Sequence, residues 1–286
     1  MAMISAEQAM KCVLENLPRT CTEQVVLADG LGRVLAENIV ARLTQPWSDV
    51  SAMDGYAVRA ADVAKVPTSL TVIGESPAGG AYDGELNSGQ AVRIFTGAPL
   101  PKGADAIVIQ EDTERDGDVV KILEAAPKGK FVRPAGLDFK AGSVLIEAPK
   151  VLNPRDLGLA AAANVPWLTV KRRPRIAFIA TGNEVVMPGD ALGANQIVSS
   201  NSVMLKAFIQ SLGGEPLDLG IARDDEASLT RLIKSASEAD MLVTIGGASV
   251  GDYDLVGRVL AQEGMKLQFD KVAMRPGKPL IFGHLN

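Results

Sequence analysis

The sequence is poor in the residues that most often activate nucleophiles or hold metals. Its 286 residues include one histidine, His284, and two cysteines, Cys12 and Cys21. A lone histidine near the end excludes histidine-activated nucleophiles and most zinc chemistry. The cysteine spacing fits neither a zinc site nor a C-x-x-C redox pair, so we expect reduced thiols in a cytoplasmic protein. Catalysis must then use carboxylates, Lys or Arg, hydroxyls, backbone amides and, where needed, a bound hard cation.

The chain also lacks a basic excess and a long apolar run. Its net charge is −5 and its pI is about 5.1, which argues against a nucleic-acid partner. The short basic run 171–175 reads as a solvated linker before a strand. No apolar run approaches the ~20 residues of a membrane helix, and residues 1–17 lack the pattern of a signal peptide. We therefore expect no membrane association, and a composition of 47% hydrophobic residues fits about two globular domains.

The first 170 residues combine two helices with many short strands. Helical spacing predicts a helix over Ser5–Leu17 with Ser5 as N-cap, and a helical turn at Gly32–Glu37. From Tyr56 to about Arg133, short β runs alternate with glycine turns, which predicts a compact β-rich domain. Asn153-Pro154 opens an alanine-rich helix that runs to Ala163.

From Arg175 onward, strands alternate with helices. This order predicts an α/β domain with a doubly wound, mostly parallel sheet, whose ligands bind at the carboxyl ends of the strands. The predicted elements are strands at Ile176–Ala180, Leu217–Ile221, Met241–Ile245, Leu267–Val272 and from Leu280, and helices at Asn201–Leu212, from Asp224 or Asp225 to Ala239, and at Leu255–Glu263.

The segment Met241–Asp254 carries the most informative pattern. A buried strand leads into the glycine turn Gly246-Gly247, then two acids, Asp252 and Asp254, and then a helix. Backbone without Cβ atoms lets a ligand approach, and a helix start favours phosphate. The acids oppose an anion unless a metal lies between them, although they could equally be N-caps.

Two further loops lie at predicted strand ends. Thr181-Gly182-Asn183-Glu184 offers a hydroxyl and a carboxylate, and Arg275–Lys278 offers two cations. Plainer interpretations stay open: Glu184 as an exposed loop acid and Lys278 as a turn residue. Asp54 could likewise be only half of an Asp-Gly turn, and Thr96-Gly97 an ordinary turn pair.

Six segments together resemble one family. They occur in the family's order along nearly the whole chain: SAMDGYAVRAADV (51–63), RIFTGAPLPKGADAIVIQED (93–112), RPAGLDFKAGSVL (133–145), FIATGNEVVMPG (178–189), TIGGASVGDYD (244–254) and RPGKPLIFG (275–283). The chain thereby resembles the molybdopterin molybdenumtransferase family, which is MoeA in bacteria and the gephyrin E-domain in animals.

The resemblance implies an activity in molybdenum cofactor biosynthesis. The family inserts molybdate into adenylylated molybdopterin in a Mg²⁺-dependent reaction that releases AMP. Its members are homodimers, and the implied partners are the molybdopterin adenylyltransferase of the preceding step and the apo-molybdoenzymes. The cleft is expected between the α/β domain of one subunit and the inserted domain of the other.

The resemblance also implies three domains in this chain. The α/β molybdopterin-binding domain, similar to the adenylylating MogA domain, would comprise 1–20 and 171–286. An elongated linker domain would comprise 21–48 and 138–170, with the β-rich domain 49–137 inserted into it.

The family's functional residues carry over by motif. The implied catalytic residues are Asp54, Thr96, Arg133, Asp138, Glu184, Arg275 and Lys278. The implied residues that bind the molybdopterin substrate are Thr181, Gly182, Asp224, Gly246, Gly247, Ser249, Gly251, Pro276 and Gly277. The implied Mg²⁺ ligands are Glu184, Asp252 and Asp254.

The sequence departs from the family at several places. Arg275 stands where we expect Lys, and Ala135 where polar residues are common. The chain ends at His284-Leu285-Asn286 as a strand begins, without the family's closing PGNP-type loop and C-terminal β domain. We therefore expect a fragment of a longer polypeptide.

Two other functions remain open at this point. The glycine loop is compatible with an enzyme that adenylylates molybdopterin, although that chemistry needs only the α/β domain. The same fold could also serve as a gephyrin-like scaffold that binds a partner peptide.

Overall fold

The structure is a computed structural model that describes residues 3–247 and 255–285. The chain divides into two compact units. We call Met1–Glu23, Gly32–Val34 and Thr169–Asn286 the α/β unit, and Gln24–Leu31 and Leu35–Leu168 the β unit. Each unit is described by itself below.

The described residues contain five α-helices. They are α1 (Ala6–Asn16), α2 (Pro154–Ala162), α3 (Ser200–Ser211), α4 (Glu226–Ser235) and α5 (Leu255–Gln262). Ser5 caps α1 through a capping box with Gln8, and Asn153 caps α2 in the same way with Asp156. The predicted N-cap Ser5 and the predicted helix start at Asn153-Pro154 are thus confirmed. None of the helices in the described ranges is long and apolar enough to span a membrane.

The strands are short in the first half of the chain. They are β1 (Thr22–Val26), β2 (Val34–Leu35), β3 (Ile39–Val40), β4 (Val50–Ser51), β5 (Gly55–Val58), β6 (Thr68–Ser76), β7 (Gln90–Ile94), β8 (Ala106–Ile109), β9 (Thr113–Asp116), β10 (Val119–Ile122), β11 (Val132–Arg133), β12 (Val144–Ile146), β13 (Lys150–Val151) and β14 (Trp167–Lys171). Those that follow are β15 (Arg175–Thr181), β16 (Val185–Val186), β17 (Ile197–Val198), β18 (Glu215–Ala222), β19 (Met241–Ile245), β20 (Lys266–Lys271) and β21 (Pro279–His284).

The centre of the β unit is a six-stranded sheet of order β8-β5-β7-β6-β10-β9. All of its pairings are antiparallel except that of β6 with β7. Alternate residues of β5 face opposite sides, so Tyr56 and Val58 join one apolar cluster while Ala57 joins another with Val92 and Ile107. The centre of the sheet is therefore buried on both faces, whereas alternate residues of β10 are exposed. The predicted β-rich segment is confirmed.

The α/β unit is built on a parallel sheet of order β18-β15-β19. Helices α4 and α5 cover it through a core that includes Ile179, Leu229, Ile233 and Val259. The antiparallel pair β20-β21 packs instead against Ala9 of α1. Because β15, β18 and β19 are parallel, their carboxyl ends meet at one edge. The predicted fold class, α/β plus β with a mostly parallel sheet, is confirmed.

Two local predictions are wrong. Gly32–Glu37 contains strand β2 rather than a helical turn, because Gly32 adopts a left-handed φ of 70° that an α-helix cannot continue. Helix α4, capped by Asp225, ends at Ser235 and not at Ala239. After the helix, the backbone amide of Asp240 donates to the carbonyl of Arg175 in β15. This bond fixes the start of the next strand, β19.

Candidate functional site

Asp54 lies in the turn that opens β5 in the β unit. The next residue, Gly55, could carry no side chain, since a Cβ there would lie 2.0 Å from the carbonyl oxygen of Val108. The backbone amide and the hydroxyl of Thr96 both donate to Asp54 Oδ1, each at 2.7 Å. The amide bond contributes most to a lowered pKa of Asp54, followed by the hydroxyl, and the charge of Arg93 adds to it. Asp54 is therefore ionised at neutral pH, and its Oδ2 has no partner among the described residues.

Backbone hydrogen bonds hold three of the motif segments together. The amide of Gly97 donates to Ser51 at 2.8 Å, and the amide of Ser51 donates to Ala98 at 2.9 Å. Strand β4 also pairs with β11, where Val50 lies opposite Arg133. The segments that carry the predicted residues Asp54, Thr96 and Arg133 are thus joined within one part of the β unit.

Arg133 and Asp138 form an ion pair within one loop. Nη2 of Arg133 lies 2.8 Å from Oδ1 and 2.9 Å from Oδ2 of Asp138. The loop is held in place because Asp49 accepts the amide of Ala135 at 2.9 Å. Both partners are about 41% exposed, so water screens the pair and it can open at low cost. Until it opens, Arg133 offers little net positive charge to an anion.

Arg93 is a residue of this region that the sequence analysis did not single out. Its guanidinium donates to the carbonyl of Gly55 at 3.1 Å and to Oε1 of Gln110 at 2.7 Å. It also lies over the rings of Tyr56 and Phe95, 5.1 and 4.9 Å from their centroids. The available signal was its position as first residue of the motif RIFTGA, between the buried Val92 and Ile94. Arg93 holds the two sides of the Asp54 turn together.

At the carboxyl edge of the parallel sheet, the three strand ends contact one another. Gly182 donates to the carbonyl of Ala222 at 3.2 Å, and the buried hydroxyl of Thr181 donates to that of Ile245 at 3.4 Å. A Cβ on Gly247 would lie 2.8 Å from this hydroxyl and 2.6 Å from Val256. Close packing therefore requires the second glycine of the pair Gly246-Gly247.

Glu184 projects from this edge. A Cβ on Gly182 would lie 2.6 Å from Oε2 of Glu184, so the carboxylate lies directly over the glycine. Two bonds fix the turn beneath it: Asp224 accepts the amide of Asn183 at 3.1 Å, and Asn183 accepts the amide of Asp224 at 3.3 Å. The structure thus brings Thr181, Gly182, Glu184, Asp224, Gly246 and Gly247 to one edge.

The loop between β20 and β21 carries the two predicted cations. The amide of Val272 donates to the carbonyl of Lys278 at 3.0 Å, and this hydrogen bond closes the loop. Arg275, Pro276, Gly277 and Lys278 are all exposed. Neither Arg275 nor Lys278 forms an ion pair with a described residue. No acidic neighbour in the described ranges therefore offsets their positive charges. Nothing in the described contacts joins this loop to Glu184.

Four of the predicted residues, Ser249, Gly251, Asp252 and Asp254, lie outside the described residues. Within 3–247 and 255–285, no group of three His, Cys, Asp or Glu side chains could hold a metal ion. Glu184 is thus the one proposed Mg²⁺ ligand whose position is described.

The fold and the site define a protein with a molybdopterin-binding type of α/β domain joined to a β-rich region. Residues 177–286 match the family described as a probable molybdopterin binding domain. Residues 4–164 match the MoeA N-terminal region (domain I and II).

Relatives carry the same assignment. The molybdopterin molybdenumtransferase of Nostoc sp. is 43% identical over 91% of this chain, and that of Haemophilus influenzae is 37% identical over 99%. The crystal structure of a molybdopterin biosynthesis MoeA protein from Pyrococcus horikoshii superposes with a TM-score of 0.87 at 36% identity, over 99% of this chain. The chain belongs to the molybdopterin molybdenumtransferase family. It spans 61% of the Nostoc relative, 70% of the Haemophilus relative and 72% of the Pyrococcus chain.

Proposed function

We propose that the protein inserts molybdate into adenylylated molybdopterin and releases AMP, as a step of molybdenum cofactor biosynthesis. The observation that carries the proposal is the match over nearly the whole chain to relatives named molybdopterin molybdenumtransferase. In this reaction water cleaves the phosphoanhydride bond between AMP and the molybdopterin phosphate, and molybdate enters as a substrate at the dithiolene.

Asp54 acts as an ionised acceptor and not as a general base. A general base works best with a pKa near the working pH, whereas two bonds from Thr96 lower the pKa of Asp54. Its Oδ2, which accepts no hydrogen bond from residues 3–247 or 255–285, can accept one from a water molecule or from a protonated group of the substrate. The role of Asp54 is therefore to orient a donor, and that role depends on the geometry that Thr96 and Arg93 maintain.

The anionic substrate binds to exposed cations and backbone amides. Arg275 and Lys278 lie in one short loop, and both attract phosphate or molybdate dianions. Arg275 presents a planar fork of donors, so it contacts two oxygens of one oxyanion, whereas Lys278 acts as a compact charge. Arg133 contributes once its pair with Asp138 opens.

Mg²⁺ is the hard cation that this substrate requires. The carboxylate of Glu184 offers oxygen ligands of the kind that Mg²⁺ prefers, and Asp252 and Asp254 would complete the set. When bound, the ion would offset the charge of the two phosphates during their separation.

The proposal also includes the oligomeric state of the protein and its partner proteins. A homodimer would let Asp54 of one subunit and Glu184 of the other act on one substrate. The adenylyltransferase of the preceding step would supply that substrate, and apo-molybdoenzymes would receive the product.

Cofactor reconstitution tests the proposal. The 286-residue chain is mixed with adenylylated molybdopterin, molybdate and Mg²⁺, and AMP release and activation of an apo-molybdoenzyme are measured. The Nostoc relative serves as the matched positive control. We expect AMP release that requires both Mg²⁺ and molybdate, and its loss in Asp54→Asn with the fold retained.

Two results would contradict this assignment. One is AMP release by the Nostoc relative with none, at the same concentrations, by a chimera in which this chain replaces the matching part of that relative. The other is adenylylation of molybdopterin by the chain with ATP, which would place the activity in the preceding step.

A further inference from the structure

A cavity lies in the α/β unit, away from the candidate site. It has a volume of about 450 Å³ and borders Ile176 of β15 and Met241 of β19, at the amino ends of these strands. The candidate residues lie at the carboxyl ends of the same strands. Five to seven residues at about 3.3 Å each separate the two edges by roughly 15–20 Å. The cavity is therefore a distinct place in the fold.

One wall of the cavity is apolar. Leu17, Val34 and Leu212 all border it, and they are 39%, 37% and 72% exposed. Pro18 and Pro174 lie beside them. Large apolar side chains that stay exposed around a concave surface are typical of a ligand-binding site, because a ligand would remove them from water.

The other wall is strongly basic. The cavity is lined by five cationic residues, which are Arg19, Arg33, Lys171, Arg172 and Arg173. Arg33 is paired with Glu23, and Arg172 with Asp240. The remaining three have no acidic partner among the described residues. This local positive charge is notable in a chain whose net charge is −5.

Hydrogen bonds hold two cations of the basic wall in place. Nη2 of the buried Arg33 donates to Glu23 and, at 2.8 Å, to the carbonyl of Lys171. Arg172 donates through Nη2 to Asp240 at 2.7 Å and through Nη1 to the carbonyl of Arg173 at 2.8 Å. Nε and Nη1 of Arg33 remain without a protein partner in the described part of the chain. Arg33 and Arg172 therefore keep their positions before any ligand arrives, and their bonds to the carbonyls of Lys171 and Arg173 fix the backbone of these two residues.

We propose that this cavity binds a small organic anion, namely a carboxylate or phosphate monoester attached to an apolar body. The head group would contact Arg19, Lys171 and Arg173, and the body would cover Leu17, Val34 and Leu212. A volume of about 450 Å³ suits a ligand of one or two rings.

Calorimetric titration of the 286-residue chain with four probes tests this inference. They are 2-naphthyl phosphate, 2-naphthoate, the neutral 2-naphthol and inorganic phosphate. We expect the first two to bind about tenfold more tightly than the last two, because only they satisfy both walls. Comparison of the phosphate with the carboxylate shows which head group the site prefers. Equal binding of 2-naphthol, or no binding of either aromatic anion at millimolar concentration, would overturn the proposal.

Matched variants locate the binding. Arg19→Gln with Lys171→Gln removes two cations of the basic wall, and we expect affinity for the better anion to fall about tenfold. The single variant Arg173→Gln provides a second test should the double variant unfold at a lower temperature. Lys65→Gln removes an exposed cation of the β unit and should leave affinity unchanged. Equal affinity in all variants would contradict the assignment. These experiments measure ligand binding. Their outcome therefore does not depend on whether the protein releases AMP.

Discussion

Thr96 donates both its backbone amide and its hydroxyl to one oxygen of Asp54, at 2.7 Å each. The two bonds stabilise the ionised carboxylate and lower its pKa below the usual 3.8. Because the folded pKa is lowered, the charge stabilises the fold above the unfolded pKa, and this contribution is lost as the pH falls through the folded value. At neutral pH the carboxylate is charged, and its second oxygen is available.

Substitution of Thr96 should change the pKa of Asp54 in a graded way. Thr96→Val keeps the amide bond and removes the hydroxyl bond, so we expect the pKa to rise toward 3.8 without reaching it. Thr96→Ser retains a hydroxyl and should leave the pKa close to that of the original protein. Titration of the carboxyl carbon by NMR measures both. An unchanged pKa in Thr96→Val would show that the hydroxyl does not contribute.

Arg93 should contribute more to the stability of the β unit than its partly exposed position suggests. Arg93→Lys loses the bond to Gly55 or to Gln110 and the stacking on Tyr56 and Phe95. We expect the free energy of unfolding to fall by about 1–2 kcal/mol. Arg115→Lys is the control, because Arg115 is exposed and donates one bond, to Gly117. Urea unfolding measures both, and equal effects would contradict a special role for Arg93.

Regular secondary structure was predictable where one local signal dominated. Strand β19 begins and ends at the predicted residues Met241 and Ile245 because an apolar run, half-buried in the structure, is bounded by charge and glycine. The end of α4 was not predictable, since nothing local stops the helix before Ala239. The stop comes from the bonds that join Asp240 to Arg175, which is 65 residues away along the chain.

For the candidate site, the motifs named residues, and the structure adds contacts between some of them that the motifs did not predict. One motif, RPAGLD, implied both Arg133 and Asp138 as catalytic residues and predicted no contact between them. The structure joins them into a pair, which only the fold of their loop can decide. Arg93 escaped notice because three of its four partners, Gly55, Tyr56 and Gln110, lie on other segments of the β unit.

Asp240 should make stability depend on pH. Its hydrogen bond to Arg172 does most to lower its pKa, burial opposes this, and the amide of Arg175 adds a further bond. Asp240→Asn keeps an acceptor for the amide and loses the charge, so we expect a loss of about 1–2 kcal/mol at pH 7. The gap between the two proteins should narrow as the pH falls below 3.8, because the carboxylate of the unfolded chain is protonated there and that of the folded protein only at its lower pKa.

Urea unfolding of both proteins from pH 7 down to about pH 3 measures this gap. Glu238→Gln is the control, since Glu238 is 86% exposed and lies 3.7 Å from Arg175. Its effect should be small at every pH. A gap for Asp240→Asn that stays constant over the whole range would show that the charge does not contribute.

The position of Glu184 depends on the absence of a side chain at Gly182. An alanine there faces a left-handed φ of 137° and a contact of 2.6 Å with Oε2 of Glu184, so the carboxylate must move. Under the proposed function, we expect Gly182→Ala to lower Mg²⁺-dependent AMP release about tenfold or more. Backbone strain alone should cost about 1–2 kcal/mol of stability.

The variant Gly189→Ala separates the effect of backbone strain from the effect of moving Glu184. Gly189 also has a left-handed φ, of 97°, but a Cβ there would meet no atom within 4 Å. It should therefore lose similar stability while AMP release per folded molecule stays unchanged. Denaturation and AMP release are measured on both variants under the same conditions. Equal loss of AMP release in the two would attribute the effect to strain, whereas full activity in Gly182→Ala would show that the reaction does not depend on the place of Glu184.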